Sequence, residues 1–325
     1  MPLFLMVFFS SFLGSVVVDQ LVKSGLLVRS TGVESAPLRP DIDYVKADIT
    51  QFDRIKNVLK GSSTVIHAAG LAHIFSLDEN SAEKFRQVNE IGTANVVVAA
   101  AVAGVKHLIL ISSVSVYGKY THGAYDEKIP CNPVGPYALS KYKAELRAVE
   151  IARQSGMALT ILRLATLYGE GDPGNIDRLI RMIDKGYFIW VGDGSNRKSL
   201  LYKSDAARAC LVVAQHPASG VNIFNVSSPP CTMREIVDGI KDTLAKHTLN
   251  FKIPASLALF VGRHLPGKPN NRIANLYETL EKWLAEDVYD TRCFEKAYGF
   301  QTRTDLKDGL KREVDWYLKY DRSKS

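Results

Sequence analysis

Short apolar runs alternate with segments of helical periodicity along the first half of the chain. The apolar runs lie at residues 3–8, 43–47, 64–67, 105–113 and 157–163, with a shorter run at residues 25–29. The helical patterns lie at residues 12–23, 52–59, 82–103 and 136–153. Because strands that alternate with helices form parallel sheets covered on both faces, this pattern predicts an α/β fold with a doubly wound parallel sheet.

The pattern changes after Gly169, where a loop at residues 170–174 begins. Beyond it we expect helices at residues 175–185, 204–215, 232–246, 290–298 and 305–320, and strands at residues 187–191 and 221–226. Thr232 and Glu235 have the spacing of a capping box. The chain is therefore predicted to form one domain over residues 1–169 and a smaller lobe over residues 170–325, some of whose segments return to the sheet. Residues 257–261 fit either a buried helix or an apolar surface patch.

The composition is that of a folded protein with a modest positive charge. The 325 residues are 46% hydrophobic and 23% charged, with a formal net charge of +7. No long Lys/Arg block is present, so nucleic-acid binding is disfavoured, and attraction of an anionic substrate such as a diphosphate fits the charge. The cysteines (Cys131, Cys210, Cys231 and Cys293) lack metal-ligand spacing, which indicates reduced thiols in a cytoplasmic protein.

Neither the apolar N-terminus nor the histidines change this view. Residues 3–18 are very apolar, but no basic side chain precedes them and the run is shorter than the ~20 residues of a membrane span. We therefore expect a buried strand and the apolar face of a helix there, and no membrane partner.

His67 and His73 have no further ligand spaced to join them, so we expect no metal site.

Candidate chemistry is concentrated in Ser113, Tyr137 and Lys141. Tyr137 and Lys141 are four residues apart in a helical pattern, which places them on one face. A tyrosine titrates near ~10, and a neighbouring ammonium favours its phenolate and lowers its pKa. With Ser113 holding a substrate oxygen, the set could remove a proton from an alcohol while its carbon loses hydride. For the Tyr–Lys pair alone, the alternative is a solvated helix face.

The stretches that carry these residues are SSVSVYG at residues 112–118 and PYALSK at residues 136–141. They resemble the extended short-chain dehydrogenase/reductase superfamily, in particular its UDP-glucose 4-epimerase-like (NAD-dependent epimerase/dehydratase) branch. The resemblance covers most of the chain and is strongest over residues 48–205. It implies a Rossmann-type sheet that binds NAD, with NADP as an alternative, and a smaller α/β substrate-binding lobe.

The resemblance also implies roles for individual residues. The catalytic residues would be Ser113, Tyr137 and Lys141. The cofactor-binding residues would be Ser11, Gly14, Arg29, Asp48, Ile49, Ala68, Ala69, Gly70, Asn89, Tyr137, Lys141 and Leu164. The substrate-binding residues would be Ser113, Thr166, Asn175, Arg197 and Lys198. Asp48 fits a helix N-cap as well, and Arg197 and Lys198 also fit an exposed basic turn.

Two segments depart from the family pattern. Aligned on Gly14 as the third glycine of the phosphate-binding turn, the first two glycine positions hold Phe8 and Ser11, and a side chain at Phe8 restricts that turn. The run at residues 25–29 ends in Arg29, where an acidic residue would bind the ribose of NAD. Arg29 would either accept the phosphate of NADP or be a solvated loop residue.

The function expected from the resemblance is 4-epimerisation of a nucleotide sugar, for example a UDP-hexose, through a transient 4-keto sugar. A 4-ketoreductase or another NAD(P)-dependent alcohol dehydrogenase is the alternative within enzymes. Val114 and Ser115 stand where dehydratases of the superfamily have acidic residues, which argues against dehydration. Outside enzymes, Phe8 and Ser11 favour a degenerate cofactor-binding or regulatory relative. A homodimer through the helices at residues 82–103 and 137–153 is expected from the family.

Overall fold

The computed structural model describes residues 3–7, 12–35, 39–72, 79–119, 123–246, 252–264 and 281–322. The chain divides into two compact units. Unit 1 comprises Met1–Leu167, Leu201–Ser227 and Tyr289–Arg303, and unit 2 comprises Tyr168–Leu200, Ser228–Val288 and Thr304–Ser325. The first boundary lies two residues before the predicted one, and the segments that return to unit 1 are 201–227 and 289–303.

The strands and helices are numbered in chain order. The strands are β1 (Leu3–Val7), β2 (Leu27–Gly32), β3 (Asp43–Lys46), β4 (Ser62–His67), β5 (His107–Ser113), β6 (Ala158–Leu164), β7 (Thr166–Tyr168), β8 (Trp190–Val191), β9 (Arg197–Lys198), β10 (Leu200–Tyr202), β11 (Val221–Val226), β12 (Cys231–Thr232) and β13 (Lys252–Ile253). The helices are α1 (Phe12–Lys23), α2 (Phe52–Val58), α3 (Glu79–Phe85), α4 (Thr93–Val102), α5 (Pro136–Ser155), α6 (Asn175–Asp184), α7 (Lys203–Gln215), α8 (Met233–Leu244), α9 (Ala255–His264), α10 (Arg292–Tyr298) and α11 (Leu306–Tyr320).

The main sheet of unit 1 has seven parallel strands in the order β11-β6-β5-β4-β1-β2-β3. This order contains the 3-2-1-4-5-6 arrangement of dinucleotide-binding sheets. The carboxyl ends of β4, β5 and β6 lie side by side, since Ile66 pairs with Ile109 and Ser113 pairs with Leu164. The predicted Rossmann-type sheet is confirmed, and its carboxyl edge is where ligands of such sheets bind.

Each face of this sheet is covered by helices. Along β5, Ile109 and Ile111 pack in a cluster with side chains of α1, α7 and α10. Leu108 and Leu110 pack in a second cluster with side chains of α2, α4 and α5. Because both faces are buried, the strands have continuous apolar runs instead of alternation. This burial explains why the run at residues 105–113 is so apolar.

The second strand differs from its prediction. We expected it to end at Arg29, but β2 continues to Gly32. Ser30 and Thr31 are buried polar residues inside the strand, and the Thr31 hydroxyl donates a hydrogen bond of 2.6 Å to the carbonyl oxygen of Val45. A hydrogen bond to β3 thus lets the polar Thr31 continue a strand that the apolar pattern ends too early.

The predicted helix at residues 82–103 contains a π-helical segment, Arg86–Gly92, between α3 and α4. The predicted strand at residues 187–191 is reduced to β8. There the amide of Tyr187 donates to the carbonyl of Met182 and prolongs the end of α6. π-helical segments are frequent at functional sites, and the segment Arg86–Gly92 carries Asn89.

Unit 2 contains helices α6, α8 and α11, which pack on one another. The capping box of α8 is confirmed, since the Thr232 hydroxyl accepts from the amide of Glu235 and the Glu235 carboxylate accepts from the amide of Thr232. Residues 257–261 lie in α9, where Leu257 and Phe260 are 52% and 61% exposed. Within the described ranges, no helix is long and apolar enough to span a bilayer.

Candidate active site

Ser113, Tyr137 and Lys141 lie together in unit 1 at the carboxyl edge of the sheet. Ser113 is the last residue of β5. Helix α5 begins with Pro136 as its first residue, directly after Gly135 at φ 85°. Lys141 is buried, and its Nζ donates a hydrogen bond of 2.6 Å to the carbonyl oxygen of Ile111 on β5. The structure therefore brings the three predicted catalytic side chains to one strand end.

The electrostatics of Tyr137 differ from the expectation. Burial raises the pKa of Tyr137 above its ordinary value, and a hydrogen bond with Ser113 opposes this shift. Burial lowers the pKa of Lys141 to about 8, and the charge of Glu145 opposes that shift. The prediction that Lys141 depresses the pKa of Tyr137 is wrong for this structure, because burial dominates the phenol and the ammonium is directed to the Ile111 carbonyl. Ser113 is the group that favours the phenolate.

Asn89 connects the segment after β4 to α5. Its Oδ1 accepts from the amide of Leu71 at 2.8 Å, and its Nδ2 donates to the Leu71 carbonyl at 3.0 Å and to Ser140 Oγ at 2.9 Å. Asn89 is fully buried. A Cβ at Gly70 would lie 3.1 Å from Asn89 Oδ1 and 3.8 Å from Lys141 Nζ. The structure therefore places the predicted residue Gly70 beside both Asn89 and Lys141.

The other predicted cofactor residues next to β3 and β4 lie in the segments that follow these strands. Asp48 Oδ1 accepts from the amide and hydroxyl of Thr50, both at 2.8 Å. The N-cap of α2 is Gln51, so the N-cap alternative for Asp48 is wrong. Ile49 is buried and packs against Gly92, where an added Cβ would lie only 2.7 Å from the Ile49 side chain. Ala68 and Ala69 follow β4 directly and are half-buried and buried.

The remaining cofactor candidates lie at three places in unit 1. Gly14 is buried in the first turn of α1, and Leu164 is buried at the end of β6. Arg29 lies within β2, where its Nε donates to Asp43 at 2.6 Å and its Nη1 donates to the Val58 carbonyl at 3.2 Å. The solvated-loop alternative for Arg29 is therefore wrong. Ser11, like Phe8 and His73, lies outside the described residues.

The predicted substrate residues divide between the units. Thr166 is half-buried at the start of β7, whereas Asn175 is the exposed first residue of α6 in unit 2. In β9, the exposed Arg197 pairs with Glu286 at 3.2 Å. Lys198 is largely buried and pairs with Asp287 at 2.6 Å. The exposed basic turn is therefore wrong for Lys198, while Arg197 retains an exposed side chain within a strand.

A buried ionic group that the sequence pattern did not indicate lies beside Lys141. Glu145 lies four residues after Lys141 and pairs with Arg163 at 2.7 Å, with side chains 3% and 5% exposed. Ser112 Oγ donates to Glu145 Oε1 at 2.5 Å. His67 is fully buried, bonds Thr93 Oγ1 at 2.9 Å, and has its pKa lowered to about 3 by burial and by the charge of Lys141. The continued spacing from Lys141 to Glu145 was the available signal.

Comparison with known proteins identifies the family. The model of the NAD dependent epimerase/dehydratase family matches residues 9–227. The UDP-glucose 4-epimerase of Vibrio cholerae is 28% identical over 317 residues, which cover 95% of this chain and 93% of the relative. The N-acetyl-alpha-D-glucosaminyl-diphospho-ditrans,octacis-undecaprenol 4-epimerase of Escherichia coli O157:H7 is 28% identical over 316 residues, covering 94% and 92%.

Solved structures show the same fold. The dTDP-glucose 4,6-dehydratase DesIV of Streptomyces venezuelae, with NAD and TYD bound, superimposes with a TM-score of 0.78 at 22% identity, covering 99% of this chain and 98% of that one. The UDP-glucose 4-epimerase of Thermotoga maritima, with UDP-glucose, gives a TM-score of 0.76 at 22% identity, covering 98% and 99%. Because the family model also spans more than half of the sequence, this chain belongs to the NAD-dependent epimerase/dehydratase family, whose members are enzymes.

Proposed function

We propose that this protein is an NAD-dependent nucleotide-sugar 4-epimerase that acts on a UDP-hexose through a transient 4-keto sugar. The observation that carries the proposal is the placement of Ser113, Tyr137 and the buried Lys141 at the end of β5, with Ser113 as the partner of the phenol. A phenol that exchanges a proton with an alcohol needs such a partner at the reacting oxygen. Relatives along nearly the whole chain are 4-epimerases, one acting on UDP-glucose.

The carboxyl edge of the sheet fits a dinucleotide. The segment after β4 consists of Ala68, Ala69 and Gly70, so no large side chain stands between the backbone and a ligand. A Cβ at Gly70 would lie only 3.1 Å from Asn89 Oδ1, which indicates that this position favours glycine. Lys141 and Asn89 would hold the nicotinamide end, and Gly14, at the third glycine position, would let the start of α1 pack closely on the sheet beside the pyrophosphate. The donors of Arg29 are bonded to Asp43 and Val58, which favours NAD over NADP.

In the proposed reaction, the ionised form of Tyr137, which the interaction with Ser113 favours, takes the proton of the sugar 4-hydroxyl while Ser113 holds the same oxygen. NAD, when bound, supplies the hydride chemistry at C4. The 4-keto sugar rotates in the site to present its other face, and Tyr137 returns the proton to the 4-oxygen of the sugar. Lys141 contributes a fixed positive charge at the strand end, since its Nζ is bound to the Ile111 carbonyl.

Substrate binding in the proposal involves Thr166, Asn175, Arg197 and Lys198. Arg197 and Lys198 would meet the diphosphate, and each would exchange its present carboxylate partner, Glu286 or Asp287, for phosphate oxygens. The Arg197–Glu286 pair is exposed, so the exchange costs little there. Lys198 offers a compact charge where a two-pronged arginine contact would be more specific.

A 4-ketoreductase is the second candidate, and one observation favours it. Because burial raises the pKa of Tyr137, the phenol carries its proton at neutral pH. A protonated phenol is ready to donate to the oxygen of a keto sugar. Net oxidation of NADH by a UDP-4-keto sugar would support this candidate, whereas an epimerase exchanges sugars without net change in NAD.

The test is to incubate the purified chain with NAD and UDP-glucose or UDP-galactose and to follow the anomeric proton signals by NMR. We expect the two sugars to interconvert. Tyr137→Phe should lower kcat by about 10²- to 10⁴-fold. The matched control is Tyr142→Phe, which removes a phenol hydroxyl from the same helix and should retain the wild-type rate. Absence of exchange in the wild type across UDP-hexoses and their N-acetylated forms would refute the proposal.

A homodimer through α4 and α5 remains part of the proposal, as does a cytoplasmic location. Leu139 and Leu146 on α5 and Val102 on α4 are apolar and 43%, 52% and 59% exposed. Apolar side chains on one pair of helices suit a second copy of the same surface. Light scattering of the wild type should give twice the chain mass of 35.9 kDa, and Leu146→Glu should give the monomer.

A further inference from the structure

Two side chains of α5 hold consecutive residues of β5 directly before Ser113. Lys141 Nζ donates to the carbonyl oxygen of Ile111 at 2.6 Å. Glu145 Oε1 accepts from Ser112 Oγ at 2.5 Å. Lys141 and Glu145 are one helical turn apart on the same buried face. The end of the strand that carries Ser113 is therefore fastened to α5 at two successive residues.

Arg163 on β6 completes this attachment. Its Nη2 lies 2.7 Å from Glu145 Oε2, and its Nε lies 3.1 Å from Glu145 Oε1. The guanidinium also lies 4.9 Å from the centre of the Tyr117 ring, and the Tyr117 hydroxyl donates to Asn225 Oδ1 at 2.7 Å. Ser112 and Tyr117, which stand on either side of Ser113 in the chain, are thus both in contact with the Glu145–Arg163 pair.

Stability alone does not account for such a pair. Both side chains are buried, and removing two charges from water costs several kcal/mol that their attraction only repays with good geometry. Apolar side chains of similar volume often serve as well or better in that role. The hydrogen bond that Glu145 makes beyond the pair, with Ser112, lies at the strand end that carries Ser113, which indicates a role there.

We propose that Glu145, held by Arg163, is a positioning residue that fixes the strand end carrying Ser113 and keeps Lys141 as a cation. The inference rests on the proposed function, in which Tyr137 exchanges the proton and Lys141 supplies a fixed positive charge. Glu145 itself touches no reacting atom and acts through Ser112 and Lys141.

The charged surroundings of Lys141 support the electrostatic half of the proposal. On α5 its charged neighbour is Glu145, while Tyr137, four residues before it, is neutral at pH 7. On β4 its neighbour is His67, whose pKa of about 3 leaves it neutral. Glu145 in turn faces Arg163 on β6 and the thiol of Cys131 ahead of α5, whose pKa is raised by burial. Glu145 is thus the anion that favours the protonated form of Lys141 against its burial.

The experiment measures the pKa of Lys141 directly and the pH dependence of kcat beside it. Lysine carrying ¹³C at Cε is incorporated, the Lys141 signal is assigned with Lys141→Arg, and the chain is titrated from pH 5 to 11. In Glu145→Gln we expect the Lys141 pKa to fall from about 8 by about one unit or more, with the basic limb of kcat moving equally. Glu145→Asp, which keeps the negative charge, should keep the Lys141 pKa close to its wild-type value.

Two further variants complete the design. Glu90→Gln is the matched control, because Glu90 is another buried carboxylate packed beside α5, where it pairs with Lys143 and Arg147. It should leave the Lys141 pKa unchanged. If Glu145→Gln does not fold, the paired variant Glu145→Met with Arg163→Met removes both charges without leaving one unpaired, and it should also lower the Lys141 pKa.

The outcomes separate this inference from the proposed function. A Lys141 pKa and a kcat profile that are unchanged in Glu145→Gln, or in the paired variant, would overturn the inference while wild-type turnover stands. A wild type without sugar exchange would refute the proposed function, and the titration would still decide the link between Glu145 and Lys141.

Discussion

Replacing Asp172 by asparagine should stabilise unit 2 at neutral pH and destabilise it in acid. Asp172 is 6% exposed, and burial raises its pKa from 3.8 to about 6. It lies in the loop before α6, where Oδ1 accepts from the amide of Gly174 at 2.8 Å and Oδ2 accepts from that of Asp177 at 3.4 Å. Glu313 is also buried, with its pKa raised by burial and by the charge of Asp172.

The sign follows from proton linkage. A carboxyl whose pKa is higher in the folded state binds more protons there between pH 4 and 6, so stability falls as the pH rises through that window. A shift from 3.8 to about 6 corresponds to about 3 kcal/mol lost at pH 7. Asparagine removes this loss but gives up one of the two amide hydrogen bonds, worth about 1 kcal/mol. The net expectation is a gain of about 2 kcal/mol at pH 7 and a loss of about 1 kcal/mol below pH 4.

Urea unfolding followed by tryptophan fluorescence measures this difference. The three tryptophans, Trp190, Trp283 and Trp316, all belong to unit 2, and Trp316 lies 3.6 Å from where a Cβ at Gly171 would stand. The free energy of unfolding is compared between wild type and Asp172→Asn at pH 3.5, 5 and 7. A variant that is less stable than the wild type at every pH would refute the argument, because it would show that the carboxylate is favourably held in the folded state.

Three further expectations concern unit 1. The wild type should gain about 3 kcal/mol of stability between pH 8 and 10.5, because Lys141, with a pKa of about 8, binds fewer protons in the folded than in the unfolded state there. Lys141→Met should abolish this rise, and a wild type whose urea midpoint is flat over this range would contradict the expectation. Gly70→Ala should weaken NAD binding about tenfold or more in a fluorescence titration, since its Cβ meets Asn89 Oδ1 at 3.1 Å, and unchanged affinity would remove Gly70 from the cofactor site. Phe8→Gly should raise NAD affinity in the same titration by freeing the phosphate turn, and equal affinity would show that this position does not limit binding.

The regular elements could be predicted because their causes are local. Helix α1 and strand β11 have the predicted bounds, and the capping box at Thr232 follows from a three-residue spacing. The end of β2 could not be predicted, because Thr31 is satisfied by Val45 on a neighbouring strand. The apolar pattern does not include such a partner, so it ended the strand at the first polar residues.

The candidate site shows the same division between local and distant causes. Tyr137 and Lys141 are one helical turn apart, and the sequence was sufficient to place them together. The hydrogen bonds of Glu145 join residues 18 and 33 positions away, which lie on β6 and β5. No spacing rule predicts those partners. The raised pKa of Tyr137 likewise comes from burial by the whole fold, so the spacing with Lys141 gave the wrong sign.

The way the chain passes between its units limits how the protein can be divided. The boundaries fall after residues 167, 200, 227, 288 and 303, so neither unit is a continuous piece of sequence. A fragment ending at residue 169 would lack α7 and β11, and with them Cys210 and Val213, which cover Val17 and Leu21 of α1. Removal of these C-terminal segments would therefore expose the apolar face of α1, a helix far from them in the sequence. Expression of the nucleotide-binding half alone requires the three segments of unit 1 to be joined by new linkers.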